Sequence, residues 1–236
     1  MSWTLITGAA KGIGKAIAQT LAHAGWNILI HYNTSRIAAD ELARHCKELG
    51  VHAAIIQGAF DTPEQVKQFI DTCQSNYQNI ENVINNVGIF TVAAASKTPA
   101  AEWEKIFQVN LHAPFAISQA FLPSIIQHKG AIINLGISGI ESHRLFTQAA
   151  AYMSSKTALL TLTRSLAKEL APQQVRVNMV SPGTMENSVL LADPLALPMN
   201  RPGSVYEVAE VLKFLLDPKN SYITGQNIEV AGGLGL

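Results

Sequence analysis

The chain has 236 residues, 48% hydrophobic and 14% charged, and its 17 Lys and Arg balance 17 Asp and Glu for a formal net charge of zero. That balance provides no basic surface for a nucleic-acid backbone, and the apolar content excludes the composition of a disordered chain. A compact chain of this length buries roughly 70 to 75% of its unfolded surface, so one domain over 1–236 with a large core and no disulfide staples is expected.

The first apolar run, Trp3 to Thr7, follows Met1 and Ser2 directly, without a basic segment and apolar signal stretch, and no 18-residue apolar run occurs. Neither export nor membrane spanning is expected, and a cytoplasmic location is. The run ends in Thr7-Gly8-Ala9-Ala10-Lys11-Gly12-Ile13-Gly14, after which Ile13, Ile17 and Leu21 repeat at helical spacing. Glycines at a strand-to-helix turn let the backbone approach a pyrophosphate closely, while the helix N-terminus offers free N–H groups and partial positive charge. Gly8, Lys11, Gly12, Ile13 and Gly14 are therefore candidate cofactor contacts. The spacing is neither GxGxxG nor GxxxxGK[ST], which excludes a P-loop.

The second apolar run, Asn27 to Tyr32, leads into Asn33-Thr34-Ser35-Arg36. An acid closing this strand would bond the adenosine ribose diol, whereas a 2′-phosphate calls for cations. No acid is present, and Lys11, Arg36 and a hydrogen bond from Ser35 or the Asn33 amide favour NADP(H) over NAD(H). The plainer alternative is that Arg36 is a solvated residue in the first turn of the next helix.

Further strands are expected at His52 to Ile56, Asn82 to Asn85, Ala131 to Leu135, Val175 to Val180 and Asn227 to Val230, separated by helical patterns such as Val66, Phe69, Ile70 and Cys73. Strands apolar on both faces and alternating with helices imply a doubly wound, Rossmann-type parallel sheet of about seven strands with helices on both faces. Cys46 and Cys73 fall in amphipathic helical patterns with no CxxC pair and no histidine at metal-ligand spacing, so no metal is expected and a reducing compartment fits. Residues 183–203, with Pro194, Pro198 and Pro202, read as an irregular loop leaving the carboxyl end of the sixth strand, where substrate would bind.

Tyr152 and Lys156 stand four residues apart at the start of a long helical pattern, which places them on one helix face, one turn apart. An adjacent ammonium favours phenolate and can bring a phenol of pKa near 10 toward the range useful for acid–base work.

Thr7-Gly8-x-x-x-Gly12-x-Gly14, Asn85-Asn86-Val87-Gly88, Asn110, Ser138, Tyr152-x-x-x-Lys156, Ser181-Pro182-Gly183, Ile223-Thr224-Gly225-Gln226 and Ala231-Gly232-Gly233 follow one another along the chain. In order and approximate spacing this series resembles the short-chain dehydrogenase/reductase family over nearly the whole length, most of all the bacterial 3-oxoacyl-acyl carrier protein reductases of fatty acid synthesis. The resemblance implies an NADPH-dependent carbonyl reductase and suggests a homotetramer. Tyr152 would be the general acid, with Lys156 lowering its pKa and holding the nicotinamide ribose. Ser138 would bond the substrate oxygen, and Asn110 would hold a water in a proton relay. Asn86 and Gly88 match the segment supporting the cofactor, and Pro182 and Gly183 the turn beside the nicotinamide.

Three departures stand out. Val87 replaces the family's alanine, Ser138 lies one residue further than usual before Tyr152, and the adenine contact falls to Ala59, or to Asp61 after a register slip. The expected substrate is a 3-oxoacyl thioester, either free or linked to acyl carrier protein. A small ketone, quinone or pteridine is the alternative, and a non-catalytic dinucleotide-binding protein is the rival of another class. Against a carrier-protein partner, the segment after the catalytic helix reads Ala171-Pro172-Gln173-Gln174, leaving Lys129 as the main cation on the other flank.

Overall fold

A computed structural model describes residues 1–142, 147–188 and 193–234. Seven parallel strands form one sheet: β1 (Trp3–Ile6), β2 (Ile28–Tyr32), β3 (Ala53–Gln57), β4 (Ile80–Asn85), β5 (Ala131–Leu135), β6 (Arg176–Pro182) and β7 (Asn227–Val230), in the order β3-β2-β1-β4-β5-β6-β7. All seven expected strands are present. The order reverses between β1 and β4, the switch point at which sheets of this kind open a crevice beyond the strand ends.

Among the described residues, seven α-helices connect them: α1 (Gly12–His23), α2 (Arg36–Glu48), α3 (Pro63–Asn76), α4 (Ala100–Phe107), α5 (Ala113–His128), α6 (Ala150–Leu170) and α7 (Val205–Leu216). Alternate strand residues face opposite layers. Ile6 and Ile133 pack with Ile17 and Leu21 of α1, Leu42 of α2 and Leu212 of α7, whereas Leu5 and Ile132 pack with Phe69 of α3, Ile117 and Phe121 of α5 and Leu170 of α6. Each such fully buried side chain contributes about 1.5–3 kcal/mol, enough to fix the register of a strand that has no solvent face.

Helix starts differ in how their free N–H groups are met. Thr62 and Gln65 form a capping box on α3, with Pro63 in the first turn, and Ser204 and Glu207 form one on α7. Lys11 and Ser35, which precede α1 and α2, provide no side-chain cap. Both helices start after the carboxyl ends of β1 and β2, on the crevice side of the sheet.

Among the described residues no helix is long and apolar enough to cross a membrane, and no group of three or more His, Cys, Asp or Glu could hold a metal. The loop expected over 183–203 is irregular apart from a bridge between Met185 and Gly203 and a short turn at Pro194–Ala196, while its residues 189–192 lie outside the described ones.

Candidate active site

The turn after β1 is bent by glycine and clamped by β4. Gly8 and Gly12 have φ of +64° and +56°, in the left-handed region that side chains avoid. A Cβ on Gly14 would collide with the Gly8 carbonyl oxygen, so only glycine lets α1 start this close to the loop. Thr7 Oγ1 accepts from the Asn86 and Val87 N–H groups at 2.9 and 3.1 Å, and Asn86 Nδ2 donates to the Thr7 and Gly8 carbonyls at 2.9 and 3.1 Å. Lys11 stays exposed, and Ile13 packs its side chain on the core beneath. The result is a cradle of backbone N–H groups at an uncapped helix start, which fits a dinucleotide pyrophosphate.

At the end of β2, Ser35 precedes α2 and Arg36 opens it. The Arg36 side chain is 73% exposed, and its Nε lies 3.6 Å from Asp40 Oδ2. An exposed pair of this kind is worth about 0–1 kcal/mol, so the guanidinium is free to exchange it for a phosphate. At β3 the register is unslipped: Tyr32 pairs with Gln57, and Gly58 N–H donates to the Tyr32 carbonyl at 3.0 Å. Ala59 therefore sits just past the strand end, and Asp61 is drawn into an ion pair with Lys105 of α4 at 3.1 Å. That pair is exposed as well, so it leaves Asp61 as available to an adenine as Ala59 is.

The candidate catalytic groups gather where β5, α6 and the end of α4 meet. Buried amides anchor α6: Asn85 Nδ2 donates to Asn134 Oδ1 at 2.8 Å, and Asn134 Nδ2 to Thr163 Oγ1 at 2.8 Å. Tyr152 and Lys156 occupy successive turns of α6, with Lys156 Nζ 5.8 Å from the Tyr152 ring centroid and donating to the Leu135 carbonyl at 2.7 Å. Asn110 lies in a π turn, Gln108–His112, between α4 and α5. Such turns re-aim side chains out of a helix, often at functional sites. The Asn110 amide accepts from Ile89 N–H at 2.8 Å and donates to the Ile89 carbonyl at 3.0 Å and to Ser155 Oγ at 3.1 Å. Gly88 fits between these groups, since a Cβ there would stand 3.3 Å from Lys156 Nζ and 3.5 Å from Asn110 Oδ1.

Ser138 is buried in the turn after β5, its N–H donating to the Pro182 carbonyl at 3.0 Å. Pro182 ends β6, and Gly183 N–H donates to the Val230 carbonyl at 2.9 Å, so this segment is tied to the two last strands. β7 pins the Ser138 turn again: Glu229 Oε1 accepts from Gly139 N–H at 2.8 Å, and Asn227 Nδ2 donates to Glu141, which also pairs with Arg164 of α6.

Electrostatics alter one expectation. Burial pushes the Tyr152 phenol up to about 12 and the Lys156 ammonium down to about 8, since each loses water that would solvate its charged form. The expected lowering of Tyr152 by Lys156 is overridden by desolvation. The phenol keeps its proton at neutral pH, the state required of an acid.

Lys129 precedes β5 and the 171–174 segment precedes β6, so both lie at the amino ends of these parallel strands, the opposite end of the sheet from Ser138. Neither describes the mouth of this chain's own site.

Three residues near the site were not anticipated. The Asn187 amide stands over the glycine loop, where a Cβ on Gly12 would meet its Nδ2 at 2.8 Å. The Phe90 ring meets the Tyr152 ring edge-on, centroids 4.9 Å apart at 88°. His31, next to last in β2, bonds both the glycine loop and Gly58 just past β3. A histidine in an otherwise apolar strand was the one available signal, and it pointed to no partner.

A family model described as enoyl-(acyl carrier protein) reductase matches residues 8–235. The chain is 34% identical to an uncharacterized oxidoreductase, YmfI, of Bacillus subtilis, with 97% of each chain covered. It is 32% identical to the 3-oxoacyl-[acyl-carrier-protein] reductase FabG of Staphylococcus epidermidis, with 98% of this chain and 97% of that one covered. Among solved structures it is similar to the acetoin dehydrogenase YohF from Salmonella typhimurium, with a TM-score of 0.91, 31% identity and 99% and 97% coverage. It is also similar to a blue fluorescent protein from a metagenomic library in complex with NADPH, with a TM-score of 0.91, 30% identity and 100% and 98% coverage.

Proposed function

Since the chain belongs to the short-chain dehydrogenase/reductase family of oxidoreductases, we propose that it uses NADP(H) to reduce a carbonyl to an alcohol, with Tyr152 as the proton donor. The observation that carries this reading is the Tyr152–Lys156 pair on α6, set beside a glycine cradle and with its phenol protonated at neutral pH. Bound NADPH supplies the hydride to the carbonyl carbon. Gly8, Lys11, Gly12, Ile13 and Gly14 hold the pyrophosphate side, with Asn86 and Gly88 bracing that loop. Ser35 and Arg36 take the 2′-phosphate, and Pro182 and Gly183 border the nicotinamide.

As the carbonyl oxygen gains electrons, Tyr152 Oη gives it a proton and the Ser138 hydroxyl donates a second hydrogen bond, so negative charge does not accumulate. Lys156 has two N–H bonds left beyond the one spent on Leu135, enough to hold the ribose hydroxyls. The two Asn110 amide N–H groups are spent on the Ile89 carbonyl and Ser155 Oγ, while its Oδ1 accepts only from Ile89 N–H and keeps a second lone pair for a water that passes a proton to Lys156.

For the substrate we favour a 3-oxoacyl thioester, supported by the similarity to FabG. A small ketone is the second reading, supported by the similarity to an acetoin dehydrogenase. The full set Asn110, Ser138, Tyr152 and Lys156 argues against a purely cofactor-binding protein. A homotetramer in the cytoplasm is part of the same proposal.

Purified protein supplied with NADPH and a panel of acetoacetyl thioester, acetoin and a pteridine tests this reading. Oxidation of NADPH with one of them, lost in Tyr152→Phe while NADPH still binds, is the expected result. Full activity in that variant overturns the role of Tyr152.

A further inference from the structure

His31 is 2% exposed and joins three segments that meet where the adenosine half of a dinucleotide would lie. Its Nδ1 accepts from the Gly8 N–H at 2.9 Å, and its Nε2 lies 3.1 Å from the Gly58 carbonyl oxygen. Its own carbonyl accepts from the Ala9 N–H at 2.9 Å. The imidazole lies flat on Phe60, centroids 4.5 Å apart at 4°, with the Phe69 ring edge-on at 4.9 Å. A backbone N–H can only donate and a carbonyl can only accept, so the ring is neutral with its proton on Nε2.

We infer that His31 is a positioning residue for the cofactor: through Nδ1 it holds Gly8 in its left-handed turn and so sets the pyrophosphate loop, and through Nε2 it ties that loop to the end of β3. The inference rests on the NADP(H) reading above. Gly8 opens the cradle with φ of +64°, a conformation that a free loop holds only part of the time. An N–H held from below is removed from the set competing to turn inward, and the remaining N–H groups of the turn are presented together. Loss of that acceptor would leave a buried donor unmet and let the loop sample other shapes, so binding would bear the ordering cost.

Two substitutions separate the two ring nitrogens. In His31→Asn the amide oxygen replaces Nδ1, and in His31→Gln the amide group replaces Nε2. By fluorescence titration, His31→Asn is expected to bind NADPH close to the wild type, and His31→Gln about tenfold more weakly. At saturating NADPH, kcat is expected to stay the same in both. Equal weakening that follows the loss in melting temperature, or no weakening in either, overturns the inference by reducing His31 to a packing residue. Nitrogen NMR of the wild type gives a readout independent of folding in the variants. The expected result is a proton on Nε2 and an Nδ1 signal that moves as NADPH is added, and a proton on Nδ1 overturns the inference. Wild-type protein that fails to bind NADPH overturns the cofactor reading itself, and the inference with it.

Discussion

Lys156 reaches from α6 to the end of β5 and donates from Nζ to the Leu135 carbonyl oxygen at 2.7 Å, in a site that leaves the lysine 3% exposed. One strong hydrogen bond thus holds an ammonium that burial brings down to about 8. The charge that would grip the cofactor ribose is present below that value and lost above it.

The pH dependence of NADPH capture follows. Since kcat/KM for NADPH reports groups of the free enzyme, it is expected to fall about tenfold per pH unit above pH about 8. Initial rates at limiting NADPH across pH 6 to 10 check this. Lys156→Met is expected to remove the limb together with most of the activity.

Tyr152, held near 12, has no titration of its own in the working range. Tyr152→Phe is expected to lower kcat by about 10²–10⁴ at every pH. NADPH affinity and melting temperature should stay close to wild type, because only the hydroxyl is removed. Steady-state kinetics with fluorescence titration separate these quantities.

Arg36 gives up only an exposed contact with Asp40 if it turns to a 2′-phosphate. Arg36→Ala is expected to weaken NADPH binding by about tenfold, the scale of one charge-assisted hydrogen bond, while leaving NADH unchanged. Parallel dissociation constants for the two nucleotides decide it, and equal losses would remove Arg36 from the phosphate site.

Acid stability should carry the mark of His31. Desolvation lowers its pKa from 6.5 to about 4, outweighing the Gly58 contact that raises it. Below pH 6.5 the unfolded chain takes up a proton that the folded one refuses, so stability is full above that pH and falls until about pH 4. The full loss is about 3 kcal/mol. Urea unfolding at pH 7 and pH 4.5 should show much of it, and His31→Asn should flatten the difference.

Phe90 is 40% exposed and stands edge-on to the Tyr152 ring, so it walls the approach to the phenol with carbon. Phe90→Ala is expected to raise KM for an apolar carbonyl substrate by severalfold with a smaller change in kcat. Kinetics with thioesters of two chain lengths test this, and a uniform loss in kcat alone would contradict it.

The strands, the helices between them, the glycine turn and the Tyr152–Lys156 pair are legible in the order of residues alone. Each of these is written in residues a few positions apart: alternating or continuous apolar runs, 3.6-residue spacing, or a four-residue step that a helix turns into a shared face. Tertiary structure alone decided what depends on distant segments sharing one volume. Asp61 pairs with Lys105 of α4, a partner that no neighbouring residue in the chain announces. Lys156 could be expected to lower the Tyr152 phenol, but the fold buries Lys156 and half-buries Tyr152, and desolvation sets the direction. Asn187 over Gly12 had no local signature, and the histidine in the apolar β2 run did not point to Gly8 as its partner. Hydrogen bonding and desolvation depend on separation in space, and the fold brings together groups that the order of residues keeps far apart.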